Sequence, residues 1–343
     1  MTSNERTKKP FRVLFFCGDR SLWGHSHLNC LLSEPLLEIV AVVVATDKRW
    51  ETFRESLTGE IANNNLLKKL LNKFVIRAEF DLESKSKSLI SKYGIQTYYC
   101  DDINSETWLD KFRKMDVDLL FCAAYPQIFG SELLSLSKLG AFNSHPSLLP
   151  RCRGADPIFW TIVSSEKKSG VTIHCMTEDV DKGNIVTQVE IDLSLKETYQ
   201  QLYGRLVSLI PNLIENFVEN LESGDLSFEP QIDLNASYFR NPRKLHRRIF
   251  WTQMTANQIY NLVRACGGRA YFYFGNFEIS VIEVDTSKTN RNITNNIKVP
   301  PGTVVDIKQG IPVVSTREGF VLLKKFSFPS FRSKEFSIGQ RFL

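Results

Sequence analysis

The first half of the chain alternates short apolar, strand-like runs with segments of helical period, and that alternation constrains the fold more than any other feature. Arg12–Cys17 (RVLFFC) and Leu37–Thr46 (LEIVAVVVAT) read as buried strands, the second dense in β-branched residues. Ile95–Tyr98, Leu119–Ala123 (LLFCA), Gly140–Ser144 and Gly170–Met176 (GVTIHCM) continue the series. Helical patterns separate them: one running from Gly24 through Ser33, then Lys85–Tyr93 and Glu106–Lys114. The reading is α/β, with a doubly wound, mainly parallel, Rossmann-like sheet. Ligands of such sheets sit outside the carboxyl ends of the strands. Three segments follow strand ends: Ala124–Phe129, Asn143–Gly154 and Thr177–Gly183.

A chain of 343 residues, 43% hydrophobic, suits two domains. The first is expected at 11–222, after a disordered N-terminus at 1–10. A helix over most of Leu195–Leu221 should break at Pro211. Ser223–Asn241 is polar and irregular, so a linker is placed at 223–240. Beyond it come a helix near Ala256–Ala265 and short strands at Ala270–Phe274, Phe277–Val284, Gly302–Ile307, Ile311–Ser315 and Phe320–Leu323. This spacing predicts a smaller C-terminal OB-like β-barrel at 241–343. Ser287–Asn296 reads as a polar loop. Trp50–Phe80, containing LLKKLLNKF, reads as an inserted amphipathic helix, packed on the domain edge or serving as a lid or acceptor contact.

The composition excludes several classes. Seven cysteines, an odd number with no CxxC pair, argue against a disulfide framework or structural zinc, and no metal is expected. No apolar run approaches the roughly 20 residues needed to span a bilayer, and Met1–Pro10 lacks an apolar signal core, so a cytoplasmic protein is the expectation. The net charge of +5 permits an anionic partner without demanding one.

The chemistry concentrates in Phe142–Gly154, FNSHPSLLPRCRG. Asn143 and His145 are two apart, so on an extended chain they share a face. Thr177–Gly183 (TEDVDKG) is a polar loop following a buried strand. An amide, an imidazole and a carboxylate can together transfer an acyl group to an amine. The amide donates to the developing oxyanion. The imidazole exchanges protons with the amine and the leaving nitrogen, and a neighbouring carboxylate orients the ring and favours its charged form. Taken singly, His145 reads more readily as a structural loop histidine than as a catalytic one, and Asp181 as a turn residue.

The combined pattern Asn143-x-His145-Pro146-Ser147-Leu148-Leu149-Pro150-x-x-x-Gly154, then Gly170-Val171-Thr172, then Asp181-x-Gly183 resembles the folate-dependent formyltransferase family. The flanking pattern extends the resemblance over about 12–220. It implies a formyltransferase domain with Asn143, His145 and Asp181 as catalytic trio and 10-formyltetrahydrofolate as co-substrate. It also implies a pterin site at Gln127, Ile128 and Phe129, closed by the loop Thr177, Glu178, Asp179, Val180 and Asp181. Ile128, Phe129, Leu149 and Val180 could line an apolar slot for the flat ring, or simply pack in the core.

The acceptor is less constrained. The C-terminal region resembles the small domain of methionyl-tRNA formyltransferases and some amino-sugar N-formyltransferases. Pro146 stands where many relatives carry a small residue after the histidine, and Trp50–Phe80 replaces a short Gly/Arg/Lys-rich loop. Arg151 and Arg153 could meet a folate tail or an acceptor phosphate, or lie solvated. Arg240 and Arg243, in the basic stretch Tyr238–Trp251, could bind a pyrophosphate or a tRNA backbone, or be a solvated linker. The leading reading is transfer to a primary amine of a nucleotide-linked amino sugar. The second is methionyl-tRNA or a related peptide amine, and the third an inactive formyltransferase-fold binding module.

Overall fold

The structure, a computed structural model, describes residues 9–18, 21–45, 89–224, 228–286, 299–328 and 336–342. The Trp50–Phe80 insertion, the Ser287–Asn296 loop and the first eight residues lie outside them. The chain divides into two compact units. Met1–Arg153, Gly170–Ile191 and Arg205–Tyr238 form the first; Gly154–Ser169, Asp192–Gly204 and Phe239–Leu343 form the second.

The first unit is built on a seven-stranded sheet ordered β3-β2-β1-β4-β5-β7-β8. Its strands are β1 (Phe11–Gly18), β2 (Leu37–Ala45), β3 (Gln96–Cys100), β4 (Leu119–Ala123), β5 (Ala141–His145), β7 (Lys168–Cys175) and β8 (Ile185–Asp192). Two-residue strands β6 (Arg153–Gly154) and β9 (Tyr238–Phe239) fall at the seams between units. The pairs β1–β2, β1–β4, β2–β3 and β4–β5 are parallel, and β5–β7 is antiparallel. The sheet is therefore mainly parallel, as the sequence predicts.

Val13, Leu14, Phe15 and Phe16 are all fully buried, because both faces of β1 are covered. Leu14 and Phe16 pack with Ala41, Val43, Phe129 and Phe112, the last on helix α2 (Glu106–Arg113). On the opposite face Phe121 and Phe142 meet Phe217, with ring centroids 5.4 and 5.1 Å apart. Helix α1 (Leu22–Leu31) starts where the Ser21 hydroxyl accepts from the Gly24 N–H. The short helix α3 (Ser131–Leu134) follows β4.

Proline breaks the long helix as expected: α5 (Tyr199–Ser208) stops and α6 (Ile210–Ser223) restarts with Pro211 in its first turn. Leu195–Thr198 is not helical, and the seam between units falls inside α5. Strand β8 carries no sequence expectation; its polar–apolar alternation is the weak signal of a sheet edge.

The second unit has a five-stranded sheet ordered β10-β11-β14-β13-β12: β10 (Ala270–Phe274), β11 (Phe277–Asp285), β12 (Val304–Lys308), β13 (Ile311–Ser315) and β14 (Phe320–Ser327). All its pairs are antiparallel. An aromatic core fills it, with Phe272 centred 5.3 Å from Trp251 and 4.6 Å from Phe342. Helix α7 (Ala256–Cys266) opens with a capping box from Thr255 and Gln258 and closes at Gly267, whose φ is +56°. Helix α4 (Pro157–Val163) joins this unit although it follows β6 in sequence: Trp160 stacks on Phe239 at 4.5 Å, and Asn261 donates to Ser165 at 2.6 Å. No helix among the described residues is long and apolar enough to cross a membrane.

Candidate active site

Asn143, His145, His174 and Asp181 all belong to the first unit, around the carboxyl end of β5. In the antiparallel β5–β7 register, Asn143 is opposite His174 and His145 is opposite Thr172. Directly opposed residues share a sheet face, so these four side chains are gathered on one side. The loop after β7 brings Asp181 to them. Its Oδ2 lies 3.6 Å from His145 Nδ1, and its Oδ1 lies 3.4 Å from His174 Nε2. All three side chains are nearly removed from solvent, at 6%, 2% and 10% exposure for His145, His174 and Asp181.

The hydrogen bonds fix the tautomers. His145 Nε2 faces the Cys152 carbonyl at 2.9 Å, and a carbonyl only accepts, so Nε2 carries a proton. In the neutral ring Nδ1 is then bare. A proton arriving at Nδ1 completes an ion pair with Asp181. His174 Nδ1 donates to the Cys175 carbonyl at 2.8 Å, leaving its Nε2 to accept from Asn143 Nδ2 at 3.2 Å. One amide hydrogen of Asn143 is thereby committed, and the second remains for a substrate oxygen. Burial lowers the His145 pKa below its ordinary value; the Asp181 charge and the Cys152 bond oppose that, and His174 adds to it. His145 is accordingly neutral at physiological pH and available as a base.

Two glycines make the geometry possible. A Cβ on Gly183 would run into the Cys175 carbonyl oxygen, and one on Gly170 into the Val189 carbonyl oxygen and the Leu148 side chain. Asp181 itself sits at φ +56°, in the left-handed region. The Ser147–Pro150 turn is tied to β7. Thr172 Oγ1 donates to the Ser147 carbonyl at 2.7 Å and accepts from the Leu149 N–H at 3.3 Å and from Gln188 Nε2 at 2.7 Å. The Leu149–Pro150 peptide is cis.

The Formyl transferase model matches residues 11–217, and the Formyl transferase, C-terminal domain model matches residues 243–337. The chain belongs to the formyl transferase family.

Among curated relatives, the bifunctional polymyxin resistance protein ArnA of Wigglesworthia glossinidia brevipalpis is 35% identical over 181 residues, 53% of this chain but only 27% of that protein. The methionyl-tRNA formyltransferase of Staphylococcus aureus (strain JH1) is 29% identical over 234 residues, 68% of this chain and 73% of that one. The solved N-formyltransferase of Helicobacter canadensis, in complex with folinic acid and dTDP-3-aminofucose, shares the fold. The TM-score is 0.57 at 17% identity, over 90% of this chain and 98% of that one.

Within this formyltransferase the remaining sequence-predicted residues separate. Ile128, in the segment that follows β4, is 65% exposed, while its neighbours anchor the segment. Phe129 is core, 2% exposed, with its ring 4.9 Å from Phe16. Gln127 spends its side chain on the 101–103 turn, accepting from the Ile103 N–H at 2.9 Å and donating to the Asp101 carbonyl at 2.9 Å. Of the two readings open to Phe129, slot lining and core packing, its ring takes part in the packed cluster under β1. Leu149 is buried, Val180 half-buried, and Thr177, Glu178 and Asp179 are exposed, with Thr177 Oγ1 donating to the Asp179 carbonyl at 3.0 Å.

Arg151 is exposed. Arg153 is neither a solvated cation nor an open acceptor contact. It is 5% exposed, and its Nε and Nη1 donate to Gln231 and Asp233, each at 2.9 Å. Burial made that pairing obligatory. Arg240 and Arg243 are exposed on the second unit. Sequence reasoning missed His174 and Gln231. The signal for His174 was its place in GVTIHCM, two residues after Thr172 on the same strand face; Gln231 carried no local signal.

Proposed function

We propose that this formyltransferase moves the formyl group of 10-formyltetrahydrofolate onto a primary amine, with Asn143, His145 and Asp181 as its catalytic residues. The observation that carries this reading is their convergence, from β5 and from a loop 36 residues further along the chain, within hydrogen-bonding or ion-pairing range of one another or of His174. The amine nitrogen bonds to the formyl carbon, and the bond from that carbon to the folate nitrogen breaks. Asn143 Nδ2 donates its uncommitted hydrogen to the formyl oxygen as negative charge develops there. His145 Nδ1 takes the proton the amine sheds, and Asp181 stabilises the resulting imidazolium. The same proton then passes to the departing nitrogen, so the enzyme ends as it began. Ile128 offers the exposed apolar surface a flat pterin covers, and the main chain of the 177–181 loop offers polar groups to its edge.

For the acceptor, a nucleotide-linked amino sugar is the favoured reading. The N-formyltransferase solved with dTDP-3-aminofucose matches along nearly the whole of both chains. The methionyl-tRNA relative supports the second reading, with the exposed Arg240 and Arg243 as backbone contacts. In either case the five antiparallel strands of the second unit form an OB-like barrel, and the protein works in the cytoplasm. The deciding assay incubates enzyme and 10-formyltetrahydrofolate with dTDP- or UDP-linked amino sugars, or with methionyl-tRNA, and follows tetrahydrofolate release by absorbance. Turnover on an amino sugar supports the first reading, and turnover on methionyl-tRNA the second. Folate binding with no turnover on any amine would mark a binding module instead.

A further inference from the structure

His145 depends on two groups that the chain places in unusual backbone conformations. The Cys152 carbonyl holds Nε2, and Cys152 has φ +55°; the Asp181 carboxylate faces Nδ1, and Asp181 has φ +56°. Neither residue is glycine, and left-handed backbone costs such residues of order 1–3 kcal/mol unless the surroundings hold it. One short segment, Gln231–Ser237, reaches both.

Ser237 Oγ accepts from the Cys152 N–H at 2.9 Å, and the Ser237 carbonyl accepts from the Arg153 N–H at 2.9 Å. Ser237 N–H in turn donates to the Pro150 carbonyl at 3.2 Å. At the other end of the segment, Gln231 Nε2 donates to the Asp181 carbonyl at 2.9 Å and to the Gly183 carbonyl at 2.7 Å. Its Oε1 accepts from Arg153 Nε at 2.9 Å. Asp233 takes Arg153 Nη1 at 2.9 Å. The segment read from sequence as part of a linker thus ties the turn after β5 to the loop after β7.

We propose that Gln231–Ser237 is a positioning clasp for the reaction, in which Gln231 and Ser237 hold the two groups that flank His145. Gln231 acts through Asp181 by pinning the backbone from which the carboxylate projects. Ser237 acts through the Cys152 carbonyl, which sets the protonated ring nitrogen. Arg153 is the buried cation that joins the two halves.

This inference rests on the catalytic reading above, and the experiment separates the two. The variants are Gln231→Ala, Ser237→Ala, Asp181→Asn, Gln231→Ala with Asp181→Asn, and His145→Ala, each assayed with the acceptor found to turn over. A displacement of about 1 Å in a catalytic group can cost roughly 10²-fold. Gln231→Ala is therefore expected to lower kcat by roughly 10- to 100-fold, with KM for the folate little changed. The acid limb of its kcat/KM profile should move to lower pH, because the carboxylate that favours protonated His145 is no longer held. Ser237→Ala should move the limb the same way, and it is read alone if Gln231→Ala fails to fold. In the Asp181→Asn background, Gln231→Ala should cost less than about 3-fold more, since both changes remove the same interaction.

An unchanged rate and acid limb in a folded clasp variant, or a full independent loss on top of Asp181→Asn, overturns the clasp. His145→Ala keeping near-normal activity overturns the catalytic reading itself. A dead His145→Ala beside unperturbed clasp variants leaves that reading standing and removes only the clasp.

Discussion

His27 sits on α1, fully buried, with its ring centroid 5.0 Å from that of Trp23 and 6.0 Å from that of Phe121. Its Nδ1 donates to the Trp23 carbonyl at 2.8 Å, and its Nε2 is buried with no hydrogen-bond partner among the described residues. A proton on Nε2 would be an unsolvated charge against aromatic rings. Burial accordingly pushes the pKa down to about 4, the Trp23 bond opposing it only in part. In the unfolded chain the imidazole titrates near 6.5. Protonation is thus easier unfolded than folded. Stability from this group is complete above about pH 6.5 and is lost as pH falls from there toward 4.

Between pH 7 and pH 4.5 the two pKa values correspond to a loss of about 2 kcal/mol. Carboxylates titrate over part of the same range, so the measurement is a double difference. Hydrogen exchange of the β1 and β4 amides gives their opening free energy at both pH values, in the wild type and in His27→Leu. The variant should lose about 2 kcal/mol less than the wild type on acidification. Equal losses in the two proteins would refute the reasoning, because the buried ring would then not be the group that resists its proton. The site has a stake in this helix: Trp23 Nε1 donates to the Ser144 carbonyl at 3.2 Å, between Asn143 and His145.

Four further outcomes follow from the site. Asn143→Ala should lower kcat by about 10²–10³ through the lost oxyanion donor; His174→Ala, which frees the Asn143 amide, should cost up to about 10², with folate binding retained in both by equilibrium titration. Asp181→Asn removes the charge that raises the His145 pKa while burial still lowers it. The acid limb of kcat/KM should therefore move to lower pH along with a loss of rate, and an unmoved limb would take Asp181 out of the proton transfer. Gly183→Ala drives a methyl into the Cys175 backbone carbonyl, which cannot rotate away, so a destabilisation of at least about 1–3 kcal/mol is expected in thermal melts.

What the sequence determined by itself was local or periodic. Strand runs such as Leu119–Ala123 and Ile311–Ser315 coincide with the observed elements, because a short apolar run bounded by turn residues is too short for a helix and reads as a buried strand. The break before Pro211 follows from covalent structure alone. Asn143 and His145 were bound to share a face by the two-residue period of a strand.

Tertiary structure decided whatever depended on who lies opposite. His174 enters the site only because β7 runs antiparallel to β5 in a register that sets it against Asn143. Phe129 packs in the core because the cluster beneath β1 takes up its ring. Arg153 changes from a candidate anion contact to a buried tie because Gln231 and Asp233, about 80 residues on, meet it there. Pairing across such distances is set by packing and burial, which a linear pattern does not encode.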